Sequence, residues 1–139
     1  DYAHTPDALK NVLKAIKNVK NSNKIIAVVG AGGNRDKSKR PLMAKIVAEN
    51  SDLAIFTSDN PRNENPDEII NDMVSGIEQS KEDKIIAIKN RKEAIKTACI
   101  MASKQDIILI AGKGHECTQE IQGVKYPFDD KEIFSNLNC

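Results

Sequence analysis

The sequence predicts an α/β domain: an open, mostly parallel sheet with helices on both faces and an antiparallel hairpin at its edge. Three observations predict it. Segments with apolar residues at helical spacing alternate with short β-branched runs along nearly the whole chain. Those runs are apolar throughout, as strands covered on both faces require. The connections are short, which suits successive strand–helix–strand units.

Each element can be justified in turn. Residues 5–20 place Ala8, Leu9, Val12, Leu13, Ile16 and Val19 on one helical face, with Thr5 as N-cap and Pro6 at the first helical position. Lys24 to Val29 is a strand halted at Gly30. A helix over Arg40 to Glu49, with a proline near its start, leads to the strand Leu53 to Thr57. Pro66 to Glu78 reads as helix, Ile85 to Ile88 as strand, Lys92 to Ser103 as helix and Asp106 to Ile110 as strand. Cys117 to Val124 alternates more loosely and contains Gly123, which suggests the hairpin. A last helix is expected near Asp130 to Leu137.

Composition narrows the function. A chain of 139 residues without repeat or linker is one domain, 1–139. With 21 Lys+Arg against 20 Asp+Glu, it lacks the charge excess of a nucleic-acid binder. No apolar stretch approaches the ~18 residues of a membrane span, and residues 1–20 carry scattered lysines instead of a signal-peptide core. Cys99, Cys117 and Cys139 are an odd, dispersed set, so a reducing compartment is expected and a disulfide scaffold is not. A chain opening on Asp1 is read as a cytoplasmic domain of a longer protein.

In an open parallel sheet, ligands bind beyond the carboxyl ends of the strands. Three predicted loops there have unusual composition: Gly30-Ala31-Gly32-Gly33-Asn34-Arg35-Asp36, Ser58-Asp59-Asn60-Pro61-Arg62 and Ala111-Gly112-Lys113-Gly114-His115-Glu116. Five of the seven glycines fall in the first and third, where positive φ or close backbone approach to a ligand is expected. Neither loop is a P-loop or a dinucleotide fingerprint, so the chain has no triphosphate cradle of its own. The loops offer charge of both signs instead. Arg35 and Arg62 can clamp carboxylates, Asp59 and Glu116 can hold ammonium groups, and Asn60 can donate or accept. A zwitterion, or a molecule with two amino-acid ends, matches that inventory. Exposed pairs of Arg62 with Asp59 or Glu64, and of Arg35 with Asp36, account for the same charges.

Other chemistries are weaker. His4 and His115 are the only histidines, and no C-x-x-C or H-x-x-x-H spacing marks a metal site. Cys99 falls on the apolar stripe of a helix, a core position. The run Lys37-Ser38-Lys39-Arg40 could contact phosphate from a helix N-terminus, but such a run is more often a solvated face.

Four ordered motifs carry a resemblance. They are Asp1-Tyr2-Ala3-His4-Thr5-Pro6-Asp7; Gly32-Gly33-Asn34-Arg35-Asp36 with Lys39-Arg40-Pro41-Leu42-Met43; Thr57-Ser58-Asp59-Asn60-Pro61-Arg62; and Gly112-Lys113-Gly114-His115-Glu116. Together they resemble the C-terminal domain of the Mur ligases of peptidoglycan synthesis, over essentially the whole chain. The resemblance implies a Rossmann-like fold and a bacterial, cytoplasmic, three-domain enzyme whose N-terminal and central domains lie outside this sequence. It implies ATP and Mg2+ held mainly by the central domain, and an acyl phosphate attacked by the amine of the incoming amino acid. The nucleotide-linked muramoyl dipeptide would be met through the absent domains.

The Asp59-Asn60-Pro61-Arg62 motif is similar to the signature of members that add meso-2,6-diaminopimelate. By that resemblance Arg35, Asp59, Asn60, Pro61, Arg62, Gly112 and Glu116 would bind its distal end. Asp1, Tyr2, His4 and Asp7 would lie by the nucleotide, and neither catalytic residue nor metal ligand is expected within the chain. Lys113 and His115 fall inside a matching motif without an assigned role. A lysine-adding or other diamino-acid-adding homologue, and a non-catalytic small-ligand-binding module, are the alternative readings.

Overall fold

The computed structural model describes residues 3–19 and 23–139. Four parallel strands, β1 (Ile25–Ala31), β2 (Leu53–Ser58), β3 (Ile85–Ala87) and β4 (Ile107–Ala111), form one sheet in the order β3-β2-β1-β4. β1 is central, paired from Ile26↔Leu53 to Ala31↔Ser58 on one side and from Ile25↔Ile107 to Val29↔Ala111 on the other. Its alternate residues feed two cores. Ala27 and Val29 pack with Phe56, Leu9, Leu13, Met43, Val47, Ile70 and Met73. Ile26 and Val28 pack with Ile55, Ala94, Ile95 and Ala98 on the opposite face. That double burial is why the strands read as unbroken apolar runs.

The first core is closed by helices α1 (Pro6–Val19), α2 (Lys39–Asn50) and α3 (Pro66–Val74); the second by α4 (Arg91–Met101) and α5 (Asp130–Asn136). Side chains cap four of the five at their N-termini. Thr5 Oγ1 accepts from the Ala8 N–H, Asn65 Oδ1 from Asp67, Asn90 Oδ1 from Glu93, and Asp129 Oδ1 from Lys131 and Glu132. Across the second core, the fully buried Arg91 reaches Asp130 at the start of α5.

Beyond shifts of one or two residues at element ends, four differences from expectation stand out. β1 continues through Gly30 to Ala31, because Gly30 is paired with Thr57 and buried against it, where a Cβ would lie 2.7 Å from the Thr57 carbonyl oxygen. α3 stops at Val74 and does not run to Glu78, because Gly76 passes so close to Pro41 that a Cβ would lie 2.3 Å from its carbonyl oxygen. The hairpin, β5 (Thr118–Ile121) and β6 (Val124–Pro127), is a separate two-stranded sheet instead of an addition to the parallel sheet's edge. Its two-residue turn has positive φ at both Gln122 and Gly123, as tight hairpins require. Finally, Cys99 is only half buried and lies beside Cys139, Cα to Cα 5.5 Å. The expected core position is thereby corrected: α5 and the residues after it return the chain to α4.

Candidate functional site

The loops after β1, β2 and β4 leave three adjacent strands at the same end of the sheet, so strand order alone brings them together. They enclose a cavity of about 310 Å3 lined by Arg35, Asp59, Asn60, Arg62, Gly112 and Glu116, with His4 and Arg40 also on its wall. Six of the seven residues expected at an amino-acid site therefore share one cavity. Pro61 does not line it; its backbone packs on Gly33, where a Cβ would stand 1.9 Å from the Pro61 carbonyl oxygen. That absence of a side chain lets the Gly33 N–H donate to the Asn60 carbonyl at 2.8 Å, which ties the first two loops together.

Arg62 is held in the left-handed region, φ +52°, a conformation that costs a non-glycine residue and needs compensating contacts. The hairpin supplies them. The Arg62 N–H donates to the Glu120 carbonyl at 3.0 Å, and its own carbonyl accepts from the Gln122 N–H at 2.8 Å. The side chain then crosses the cavity wall: Nη1 donates to the Gly33 carbonyl at 2.9 Å, and Nε lies 3.4 Å from Glu120 Oε2. Neither Asp59 nor Glu64 is its partner, so the ion pairs weighed from sequence are replaced by one with the hairpin. Arg35 is exposed and makes no ion pair with a described residue, Asp36 included.

Beneath the cavity lies a side chain to which sequence analysis gave no role. Lys113 has no solvent exposure. Its Nζ donates to Asn60 Oδ1 at 2.9 Å and to the Thr118 carbonyl at 3.0 Å, and stands 3.0 Å from Asp59 Oδ1 and 3.8 Å from Glu116 Oε2. Asn60 Nδ2 in turn donates to Glu116 Oε2 at 3.3 Å, and Gln119 Nε2 to the Asp59 carbonyl at 2.7 Å. The signal for Lys113 was its place between Gly112 and Gly114, at φ +114° and +56°, directly after a buried strand. Such a backbone turns the lysine back under the sheet edge.

Arg40 was also misread. It belongs to a basic run, yet it is 2 % exposed. Its guanidinium donates to Glu64 at 2.8 and 3.1 Å, to Asp72 at 3.0 Å and to the Gly32 carbonyl at 3.2 Å. Hydrogen bonds from Arg40, with help from the Asn34 N–H, hold the Glu64 carboxyl down at about 2. Burial works against the Arg40 charge, but Glu64 and Asp72 outweigh it and raise its pKa. This buried group fixes the first loop from below.

Of the residues expected by a nucleotide, His4 lines the cavity and is exposed. Asp7 is exposed in the first turn of α1 and does not line it, while Asp1 and Tyr2 lie outside the described residues. Cys117 is no activated nucleophile. Its thiol donates to Asp129 and to the His115 carbonyl, and the Asp129 contact pushes its pKa up. Among the described residues, no three His, Cys, Asp or Glu side chains gather as metal ligands would.

What the cavity can bind follows from the groups left over. Arg35, one N–H of Asn60 and the outer edge of the Arg62 guanidinium remain as donors. Glu116 Oε1 and the Asp59 carboxylate, whose Oδ1 is buried beside Lys113 without a hydrogen bond, remain as acceptors among the described residues. Donors that prefer a carboxylate and acceptors that prefer an ammonium therefore share one small space.

Comparisons with known proteins complete the description. Residues 1–114 match the model of the Mur ligase glutamate ligase domain. The chain is 61% identical over 138 residues to UDP-N-acetylmuramoyl-L-alanyl-D-glutamate–2,6-diaminopimelate ligase of Bacteroides thetaiotaomicron, covering 99% of this chain and 29% of that protein. It is 59% identical over 137 residues to the enzyme of the same name from Cytophaga hutchinsonii, covering 99% of the chain and 28% of that relative. A solved structure of a ligase with this name superposes with a TM-score of 0.91 at 47% identity, over 99% of the chain and 28% of that structure. The chain thus spans less than a third of the length of the relatives it matches.

Proposed function

This chain belongs to the Mur ligase family, and from that premise we propose that it is the C-terminal, amino-acid-binding domain, residues 1–139, of an ATP-dependent amide-forming ligase. The full-length enzyme adds meso-2,6-diaminopimelate to UDP-N-acetylmuramoyl-L-alanyl-D-glutamate in the bacterial cytoplasm, during peptidoglycan synthesis. The observation that carries this reading is the convergence of Arg35, Arg62 and Asn60 with Asp59 and Glu116 on a single cavity of about 310 Å3.

In this reading the two guanidinium groups and the free Asn60 N–H receive the distal carboxylate. Glu116 and Asp59 receive the distal ammonium. Gly112, at φ +114°, gives the wall a backbone turn that a residue with a side chain would adopt only under strain. Pro61 acts on the loop's path and not on the ligand. Lysine offers an ammonium but no second carboxylate, so it leaves the arginines without their partner; losing one member of a buried hydrogen-bonded charge pair costs about 2–5 kcal/mol.

ATP and Mg2+ belong to the parts of the enzyme outside this chain. The residues here do not fit a phosphate-activating role: there is no P-loop, and the described residues hold no metal-ligand group. No activation step is therefore derived from them. Of the motif's residues, Asp1, Tyr2, His4 and Asp7, the exposed His4 is the one on the cavity wall among the described residues, and it would meet the nucleotide. The test is ADP release by the full-length enzyme. It should require diaminopimelate along with the UDP-linked dipeptide, and release that ignores diaminopimelate would contradict the proposal.

A further inference from the structure

We propose that Lys113 is a positioning residue for amino-acid recognition: its buried ammonium commits Asn60 to offer an N–H to the ligand, and holds Asp59 and Glu116 together as its acceptors. The proposal rests on the diaminopimelate reading above and assigns work to a residue that does not itself line the cavity.

The argument begins with burial. A fully buried ammonium persists only when it is paired and hydrogen-bonded, and Lys113 donates to Asn60 Oδ1 and the Thr118 carbonyl and is ion-paired with the Asp59 carboxylate. The consequence falls on Asn60. A carboxamide has nearly the same shape in its two orientations, so the surrounding donors and acceptors choose between them. Asn60 Oδ1 accepts from Lys113 Nζ at 2.9 Å and from the Glu120 N–H at 3.0 Å, which uses both lone pairs. The reverse orientation would set an NH2 group against two donors. Nδ2 must therefore face the other way. One of its hydrogens goes to Glu116 Oε2 at 3.3 Å, and the second has no partner among the described residues.

The same ammonium settles the carboxylates. Asp59 and Glu116 approach one another around Lys113 Nζ, at 3.0 and 3.8 Å. Without a cation between them they would repel. With it, one positive and two negative charges leave a single net negative charge, which suits one ligand ammonium. Arg62 does not disturb this balance, since Glu120 already partners it. Lys113 thus sorts the cavity into a donor side and an acceptor side.

The competing account is a staple that merely fastens the hairpin, through the Thr118 carbonyl, to the rim. The hairpin also braces Arg62, so steady-state kinetics of the full-length enzyme test the demand for Lys113 and the Asn60 signals test the orientation it imposes. In Lys113→Met, the KM for diaminopimelate should rise at least tenfold while the KM for ATP stays within twofold. A diaminopimelate KM that stays at the parental value would overturn the proposal.

Should Lys113→Met not fold, the unmodified enzyme provides a second measurement. The side-chain NH2 resonances of Asn60, assigned through Asn60→Ser, should shift on saturation with diaminopimelate. Unshifted Asn60 signals beside shifted signals elsewhere at the cavity would overturn the orientation. Failure of the underlying reading looks different, because the unmodified enzyme would then show no dependence on diaminopimelate at all.

Discussion

Arg91 grips Asp130 with two parallel hydrogen bonds, Nε to Oδ1 at 2.8 Å and Nη2 to Oδ2 at 2.6 Å, in a place closed to solvent. The same guanidinium reaches the carbonyls of Ser58, at 3.4 Å, and Ala111, at 3.2 Å. Those are the last residues of β2 and β4, immediately before Asp59 and Gly112. One buried pair therefore ties α5 to the strand ends from which the cavity loops depart.

Removing one partner of such a pair leaves an uncompensated buried charge, whereas replacing both with apolar residues of similar volume is often close to neutral. Arg91→Met should destabilise the chain by about 3–5 kcal/mol in urea denaturation. Arg91→Met with Asp130→Leu should recover most of that loss. A single variant within about 1 kcal/mol of the parent would contradict the assigned role.

Glu64 gives a prediction in pH. Its folded-state pKa, about 2, lies below the ordinary 4.5. A depressed carboxyl stabilises the fold fully above its unfolded value and loses that contribution as pH falls through the folded one. The Tm should therefore drop between pH 4.5 and about 2 more steeply in the parent than in Glu64→Gln. Superimposable Tm profiles would count against the Arg40–Glu64 pair as a source of acid sensitivity.

The contact of Gly33 with Pro61 predicts a steric effect. A methyl group there meets backbone, which cannot swing aside as a side chain can. Gly33→Ala should cost about 1–3 kcal/mol and displace the Asp59–Arg62 loop, seen as a higher KM for diaminopimelate. An alanine variant with parental stability and KM would show that the loop yields easily.

Arg62 should act on the amino acid and not on the nucleotide. Loss of about 2–5 kcal/mol corresponds to a rise in the diaminopimelate KM of about 30-fold to 4,000-fold. The ATP KM of Arg62→Ala should move little. Equal damage to both would argue for general disruption of the rim.

Much of this was legible in the sequence, for identifiable reasons. Strands such as 25–31 and 53–58 are buried on both faces, so they appear as apolar runs, and glycines gather where loops turn tightly at their ends. The convergence of Arg35, Asp59, Asn60, Arg62, Gly112 and Glu116 on one cavity was legible because strand order alone carries three loops to one edge. The buried cations were not. Lys113, Arg40 and Arg91 look like surface residues in a linear reading, since their burial depends on Asp59, Glu64 and Asp130, and those partners are 54, 24 and 39 residues away. The hairpin's part was hidden for the same reason: Glu120 meets Arg62 only after folding, and nothing local in Thr118 to Pro127 announces it.

The central claim, that this cavity selects an amino acid carrying a second zwitterionic end, is tested most directly by competition. The full-length enzyme should be given ATP, the UDP-linked dipeptide, and equal concentrations of meso-diaminopimelate, lysine and ornithine, and its products separated by mass. Near-exclusive formation of the diaminopimelate product by the parent, with that preference collapsing in Arg62→Ala, is the predicted result. Comparable amounts of the lysine product from the parent enzyme would contradict it.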